Sequence, residues 1–579
     1  MKCWFSSLLQ LSAVVAWCQQ PVLTVDPFSC FELSGRPAAD MTVVPVEGRE
    51  FTKAWRLKST VSTNPWDQQI RCSFTAAASK GDTIVARFWV RTISADSGIG
   101  TATLVLEKNS SPYTKSVQYR AGASSEWKRI EVPFAMAESY AESGYAVGLW
   151  LAYGQQEIEV ADLTVLNYGP SVPFSSLGLA DWPYEGKGPD AQWRKAAAER
   201  IDQYRKADLS VIVRDSDGNP VPDAAVHVAM KRHAFPFGSA VDGGELRSNA
   251  RYRDTIKRLF NAAVTENDLK WPYWETWSRD NANYSLNWLQ ENGLRVRGHN
   301  IIWPGKSNLP PDVVALLDKG DKEALRKRIA SHIAEVMAWT HGRVVDWDVL
   351  NEPVTNRDVM TLLGDDEMAL WFRQAREADS GVRLYANDFN ITENGGYDLA
   401  RQNAFFNIVK GIADSGAPLD GVGLQSHFGA TLTAPARVYE ILDRFSSFGA
   451  DLAVTEYDVN STDEQLQADY LRDYLTICFS HPKVKAFYIW GFWEGRHWRP
   501  NAAMIRRDWT TKLAYDVWMR LVFTDWWTDV SGKTNDDGVF RTRGFLGPYE
   551  VEVTLGDEKT AVPVVLGDTS PVVLVVAKK

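Results

Sequence analysis

Cysteine is scarce in this chain, with 5 in 579 residues, and Cys3 and Cys18 both fall at the very N-terminus. Three others, Cys30, Cys72 and Cys478, are too few for a disulfide-stapled scaffold, and no Cys-x-x-Cys pair is present for zinc or dithiol chemistry. Positive charge is also short: 63 Lys and Arg stand against 73 Asp and Glu, a net charge of -10. That balance excludes an electrostatic grip on nucleic acid or on an anionic membrane. Beyond the N-terminus no apolar run is long enough to span a bilayer, and no glycine-rich phosphate turn follows a strand. A neutral polymer or a small molecule remains as ligand. Hydrophobic content of 45% and charged content of 23% are those of a soluble globular protein, and the length implies several domains.

The first residues read Met1-Lys2, then an apolar stretch through Leu8, Leu11 and Val15 to Ala16-Trp17-Cys18. The stretch is too short to span a membrane and suits a cleaved signal, so residues 1–18 are read as a signal peptide and the protein as secreted, extracellular or periplasmic. A lipoprotein anchor at Cys18 is the alternative, disfavoured by the bulky Trp17. Export permits a disulfide, and Cys30 and Cys72 are the pair expected to bridge, with two free thiols as the other outcome. Cys478 shares a helical stripe with Leu471 and Leu475, behind a Thr462-x-x-Gln465 capping signal, and reads as a buried core thiol.

Residues 19–168 alternate short apolar and polar runs between turn signals, as in 82–90 and 145–153, the pattern of an antiparallel β-sandwich. The segment resembles the jelly-roll carbohydrate-binding modules that precede many plant-wall hydrolases, in pattern rather than in any chemical motif. Trp89 and Trp150 are candidates for stacking on sugar, or else core. Residues 169–206 read as a linker followed by a helix from Ala191 to Lys206. Residues 207–232 read as a β-hairpin around Asp217-Gly-Asn-Pro220.

From 233 to 524 strand-like runs alternate with helices. The runs are 235–241, 262–267, 295–303, 347–352, 383–390, 421–427, 452–459 and 486–493. Eight strands each followed by a helix specify an α/β fold, a (β/α)8 TIM barrel. Residues 525–579 return to strands and tight turns. About fifty residues make a weak core alone, so this piece and the 207–232 hairpin are expected to form one small β-sandwich split around the barrel.

In such a barrel the reacting groups gather at the C-terminal ends of strands. Those ends carry Glu266, Asn267 and Lys270; His299 and Trp303; Asn351 and Glu352; Asn387 and Asp388; Gln425 and His427; Glu456 and Asp458; Trp490 and Trp498. No serine nucleophile with its base stands among them, and no metal-ligand constellation is present. No metal and no cofactor are expected. Two carboxylates facing each other across a sugar, with aromatic platforms around them, are the equipment of glycoside hydrolysis. One begins protonated to serve the leaving oxygen and the other ionised to attack the anomeric carbon, their repulsion helping to hold the acid's pKa up.

These residues are similar to those of glycoside hydrolase family ten xylanases, closest to the plant-type members. The likeness is carried by Thr265-Glu-Asn-Asp-Leu-Lys-Trp271, Arg297-Gly-His-Asn-Ile-Ile-Trp303, Trp347-Asp-Val-Leu-Asn-Glu-Pro353, Tyr385-Ala-Asn-Asp388, Leu424-Gln-Ser-His427, Val454-Thr-Glu-Tyr-Asp458, and Trp490 with Trp498. The resemblance implies Glu352 as acid/base and Glu456 as nucleophile, about 5 to 5.5 Å apart in a retaining mechanism. It implies that Asn351 binds a sugar 2-hydroxyl and that His427, oriented by Asp458, hydrogen-bonds Glu456. Glu266, Asn267, Lys270, His299, Trp303, Gln425, Trp490 and Trp498 would bind the sugars, and Asn387 and Asp388 would support the barrel mouth from behind.

Each motif alone has an ordinary reading: Asn-Glu-Pro is a common helix start and a lone tryptophan is usually packing. Their conjunction in order at successive strand ends is what points to chemistry. Two positions depart from the family pattern. Pro304 stands where most bacterial members have a second histidine, and Lys306 where a glutamine is usual. The expected function is endo-hydrolysis of β-1,4-xylosidic bonds in xylan by a monomer. The alternatives are a retaining hydrolase of mixed-linkage xylan or β-glucan, and a catalytically silent polysaccharide-binding protein.

Overall fold

The computed structural model describes residues 20–23, 25–179, 182–429, 431–567 and 571–576; the expected signal segment, 1–18, lies outside them. The chain divides into two units, one up to Pro183 and one from Tyr184 on. Among the described residues no helix is long and apolar enough to cross a membrane.

The first unit is an antiparallel β-sandwich. One sheet orders the strands Asp40–Pro45, Lys53–Ser59, Gln156–Pro170, Asp82–Ala95 and Lys128–Ala135, with Gln20–Pro21 paired to the third of these. The other orders Glu32–Ser34, Gln69–Ser73, Tyr145–Trp150, Gly100–Lys108 and Lys115–Ala123. Strand alternation sends Trp55, Leu57, Phe88, Leu104, Leu149 and Val160 into one apolar core, which is why strands of period two hold together as two layers. Cys30 and Cys72 are bridged, with Cα atoms 5.4 Å apart. Trp150 is buried against Trp66, which is 47% exposed, with ring centroids 5.2 Å apart; Trp89 packs on Phe51.

The helix expected after the linker is present as Gln192–Arg205, and the linker ahead of it is shorter than expected at both ends. Pro170 still pairs with Asp82 in the sandwich. Tyr184 donates to Asp473 Oδ2 at 2.8 Å and Arg194 forks onto both Asp473 oxygens, so the stretch from 184, with the helix Gln192–Arg205, is built into the second unit.

The barrel strands are Phe237–Val241, Ala262–Thr265, Arg295–Gly298, Asp346–Asn351, Arg383–Asp388, Gly421–Leu424, Asp451–Val459 and Val484–Ile489, each parallel to the next. Strand eight pairs with strand one and closes the ring. The helix Lys322–Thr340 shows how the outer ring forms. Asp321 caps it by accepting from Ala324 N at 3.2 Å, and Leu325, Ile329, Ile333 and Val336 bury one face. In the helix Glu464–Ser480 the cap is Asp463 rather than Thr462, accepting from Leu466 N at 3.0 Å, and Cys478 is buried on its inner face.

Residues 207–232 differ from expectation. The turn is there, with Asp215 N bonding Asn219 O at 3.0 Å, but the two strands do not form a ladder with each other. Lys206–Arg214 lies between Val539–Phe545 and Val572–Val576 in one sheet, while Ala225–Met230 lies between Asp529–Lys533 and Gly547–Leu555 in another. The C-terminal strands take the backbone groups that a hairpin would have paired, so the turn crosses between the layers of the split sandwich.

Candidate active site

A cavity of about 490 Å³ opens at the C-terminal ends of the barrel strands. The strands bury mostly apolar residues along their length and gather polar ones at this end, where the ring of strands no longer covers them; strands three and four also carry Arg297, Asp346 and Asp348 in the interior. Glu352 follows the last residue of strand four, and its N–H bonds Asn387 O at 2.8 Å. Its φ of 53° lies in the left-handed region, sparsely populated by non-glycine residues, so the backbone turns sharply there and the carboxylate faces the cavity. Glu456 comes from strand seven and lies on the same cavity wall.

The two carboxylates have different surroundings. Glu352 Oε1 accepts from Gln425 Nε2 at 3.0 Å and Oε2 from Asn356 Nδ2 at 3.2 Å. Burial pushes its pKa up, Glu456 adds like-charge repulsion, and the Gln425 hydrogen bond opposes them. Glu456 is gripped on both oxygens, by Asn387 Nδ2 at 2.8 Å and His427 Nε2 at 3.3 Å. His427 Nδ1 lies 3.0 Å from Asp458 Oδ2. Burial alone would lower the imidazole's pKa, but the flanking carboxylates outweigh it and push it up to about 10. Asp458, despite burial, is held below the usual carboxylate range by His427. It also accepts from Trp498 Nε1 at 2.8 Å and Arg499 Nη1 at 3.1 Å.

The remaining expected residues divide between wall and support. Glu266, Lys270, His299, Trp303, Asn351, Gln425, His427, Trp490 and Trp498 all line the cavity. Trp490, 6% exposed, forms floor and Trp498, 50% exposed, forms rim. Burial raises the Glu266 pKa and lowers that of Lys270, each resisted by the other's charge. His299 Nδ1 lies 2.9 Å from Asp348 Oδ2, which directs Nε2 away from the strand. Asn267 is not on the wall; its Oδ1 accepts from Lys270 Nζ at 2.9 Å and steadies that ammonium. Asn387 and Asp388 lie behind the wall as well. Asp388 accepts from Val354 N at 3.2 Å and from Arg401, and burial still pushes it up to about 7.

Two buried donors on the cavity wall, Asn351 Nδ2 and Trp303 Nε1, have no acceptor among the described residues. A buried unsatisfied donor is costly unless a ligand or water completes it. The sequence reading missed Phe389, Asn390 and Arg499, which also line the cavity. Arg499 directly follows Trp498, and Asn390, at φ 56°, sits on the turn two residues past strand five; adjacency was the available signal. The departures at 304 and 306 resolve as loop contacts: Pro304 O accepts from Val359 N at 3.2 Å, and Lys306 Nζ pairs with Asp318, outside the cavity wall.

The family model for glycosyl hydrolase family 10 matches residues 225–520. Anti-sigma-I factor RsgI6 of Acetivibrio thermocellus is 32% identical over 369 residues, 63% of this chain and 47% of that protein. Endo-1,4-beta-xylanase 2 of Arabidopsis thaliana is 27% identical over 412 residues, 70% of this chain and 37% of that protein. The chain thus spans less than half the length of these two relatives. Native xylanase 10B from Thermotoga maritima, a solved structure, is 26% identical and covers 50% of this chain and 96% of its own, with a TM-score of 0.45. The match runs from the sandwich strand at 225 through the whole barrel to the last helix, and the chain therefore belongs to glycosyl hydrolase family 10.

Proposed function

We propose that the protein is a retaining endo-hydrolase of β-1,4-xylosidic bonds in xylan. The observation that carries this reading is the pair of carboxylates on one cavity wall in different surroundings: Glu352 raised by burial and by its neighbour, Glu456 held on one oxygen by the Asn387 amide N–H and on the other by the His427 ring. Such a split assigns acid and nucleophile. Glu456 attacks the anomeric carbon from one face while Glu352 gives its proton to the departing glycosidic oxygen. The covalent glycosyl-enzyme is then opened by a water from which Glu352, now a base, takes a proton. The unsatisfied Asn351 Nδ2 donates to the 2-hydroxyl beside the reacting carbon. Lys270, Glu266 and His299 hold hydroxyls on the glycone side, and Trp303, Trp490 and Trp498 supply apolar faces for the rings.

The first unit, with Trp66 half-exposed beside Trp150, is proposed to hold the enzyme on polysaccharide. The Cys30–Cys72 bridge fits an oxidising compartment, in line with export. Time-resolved proton NMR of xylohexaose hydrolysis tests the chemistry. Early accumulation of β-anomer is expected, and the Glu456→Ala variant is expected to bind without turnover. Initial α-anomer would overturn the retaining mechanism, and absence of cleavage would overturn xylan as substrate.

A further inference from the structure

Asn356 is joined to Glu352 by more than chain continuity. Its Nδ2 lies 3.2 Å from Glu352 Oε2 and 3.2 Å from Glu352 O. Its Oδ1 accepts from Asn308 Nδ2 at 3.2 Å. A backbone carbonyl only accepts, so the amide is fixed with its nitrogen toward Glu352 and its oxygen toward the loop after barrel strand three.

That loop is shaped to receive it. A Cβ on Gly305 would sit 2.2 Å from Asn356 Oδ1. Gly305 has φ -83°, so the demand there is for space rather than for backbone freedom. On either side, Pro304 O accepts from Val359 N at 3.2 Å and Lys306 N donates to Asp358 Oδ2 at 2.8 Å. The residues that depart from the common family pattern therefore pin the strand-three loop to the segment that follows Glu352.

We infer that Asn356 is a positioning residue for the acid/base Glu352, braced by the loop Pro304–Asn308; this rests on the hydrolase reading above. Nδ2 can only donate. When Glu352 is protonated, its proton finds no acceptor in Asn356 and is left free to face the cavity. When the proton passes to the leaving oxygen, the same N–H stabilises the carboxylate left behind, and the arrangement is preserved for the base step that follows.

The test compares wild type with Asn356→Ala, Asn356→Asp and Gly305→Ala on xylohexaose and on 2,4-dinitrophenyl β-xylobioside, whose acidic leaving group departs without protonation. For Asn356→Ala, kcat/KM on xylohexaose should fall roughly 10- to 100-fold while that on the aryl glycoside stays within about twofold. The alkaline limb of the kcat/KM profile should move to higher pH, because a donor that favours the carboxylate is gone. Asn356→Asp keeps the shape and adds a like charge, so it should move the limb further; it carries the test should the alanine variant not fold. Gly305→Ala should reproduce the substrate split by displacing the amide. Equal losses on both substrates with an unmoved limb, or no loss on either, would overturn the proposal. Wild-type protein inactive on both substrates would instead overturn the reading of the site on which it rests.

Discussion

Asn387 Nδ2 lies 2.8 Å from Glu456 Oε1, and the same nitrogen lies 2.9 Å from Asn351 Oδ1. Thr455 Oγ1 donates to Asn387 Oδ1 at 2.7 Å, which fixes the amide's orientation. One buried side chain on strand five thus holds the proposed nucleophile and the residue proposed to bind the 2-hydroxyl in a common frame, and only a donor can serve both.

Asn387→Asp should therefore be far more damaging than its size suggests. It places a second carboxylate within hydrogen-bonding distance of Glu456, and two such groups cannot both ionise. The pair would share a proton near neutrality, disarming the nucleophile. The expected result is a loss of kcat/KM of at least roughly 100-fold at neutral pH, with the acid limb of the profile displaced upward. A neutral-pH rate within tenfold of wild type would show that the amide's donor role is dispensable.

The charge state of His427 predicts a pH dependence of stability. Its pKa in the folded protein is pushed up to about 10 by Asp458 and Glu456 acting against burial, above the unfolded value of about 6.5. A raised histidine pKa means that the folded state binds the extra proton. The stabilisation is complete below about pH 6.5 and is lost as pH climbs through 10. The Tm gap between wild type and His427→Gln should be largest at pH 6 and narrow toward pH 10. A gap constant across that range would mean that the ring is neutral when folded.

Much of this site was legible because polar residues at the ends of apolar strands need a reason to be there. Glu352, Glu456, His427 and Lys270 announced themselves as acids and bases where a buried strand runs out. Asn356 was not legible, since it acquires its meaning from contacts with Glu352 and the strand-three loop that no periodicity records, and for Arg499 the signal was only its adjacency to Trp498. Lys306 shows a different limit: it stands where the family pattern has a glutamine, yet its partner is Asp318, outside the cavity wall. The eight-strand alternation gave the barrel, but not which sheet each strand of 207–232 would join. That depended on C-terminal strands some three hundred residues away.

The disulfide closes a separation of 42 residues in the first unit. On a chain-entropy reckoning a loop of that length contributes about 4 kcal/mol by restricting the unfolded chain. Reduction, or Cys30→Ser with Cys72→Ser, should lower the unfolding midpoint of the first unit. Hydrolysis of soluble xylohexaose should be unchanged, since every proposed catalytic group lies in the second unit. Scanning calorimetry with and without reductant, beside an activity assay, checks both halves. A lost activity would place part of the reaction's machinery outside the barrel.

The barrel interior beneath the site carries an ion cluster whose removal should convert it into a pH sensor. Arg297, fully buried, donates to Asp346 at 2.9 Å and to both oxygens of Asp348, and Asp348 Oδ2 in turn lies 2.9 Å from His299 Nδ1. Asp348 is held below the usual carboxylate range by Arg297 and His299 acting against burial, whereas burial dominates at Asp346 and raises it. Arg297→Met deletes the one full positive charge between them and leaves two desolvated carboxylates. The cost should be about 3–5 kcal/mol, the usual penalty for breaking a buried pair by one partner. Both acids would then titrate above their unfolded values, so the folded variant would bind more protons and lose stability as pH rises. Urea midpoints at pH 5 and pH 8 should differ more for the variant than for wild type, with the variant weaker at pH 8. Because Asp348 would then be partly protonated, His299 loses its fixed acceptor, and KM for xylohexaose should rise together with the loss of stability.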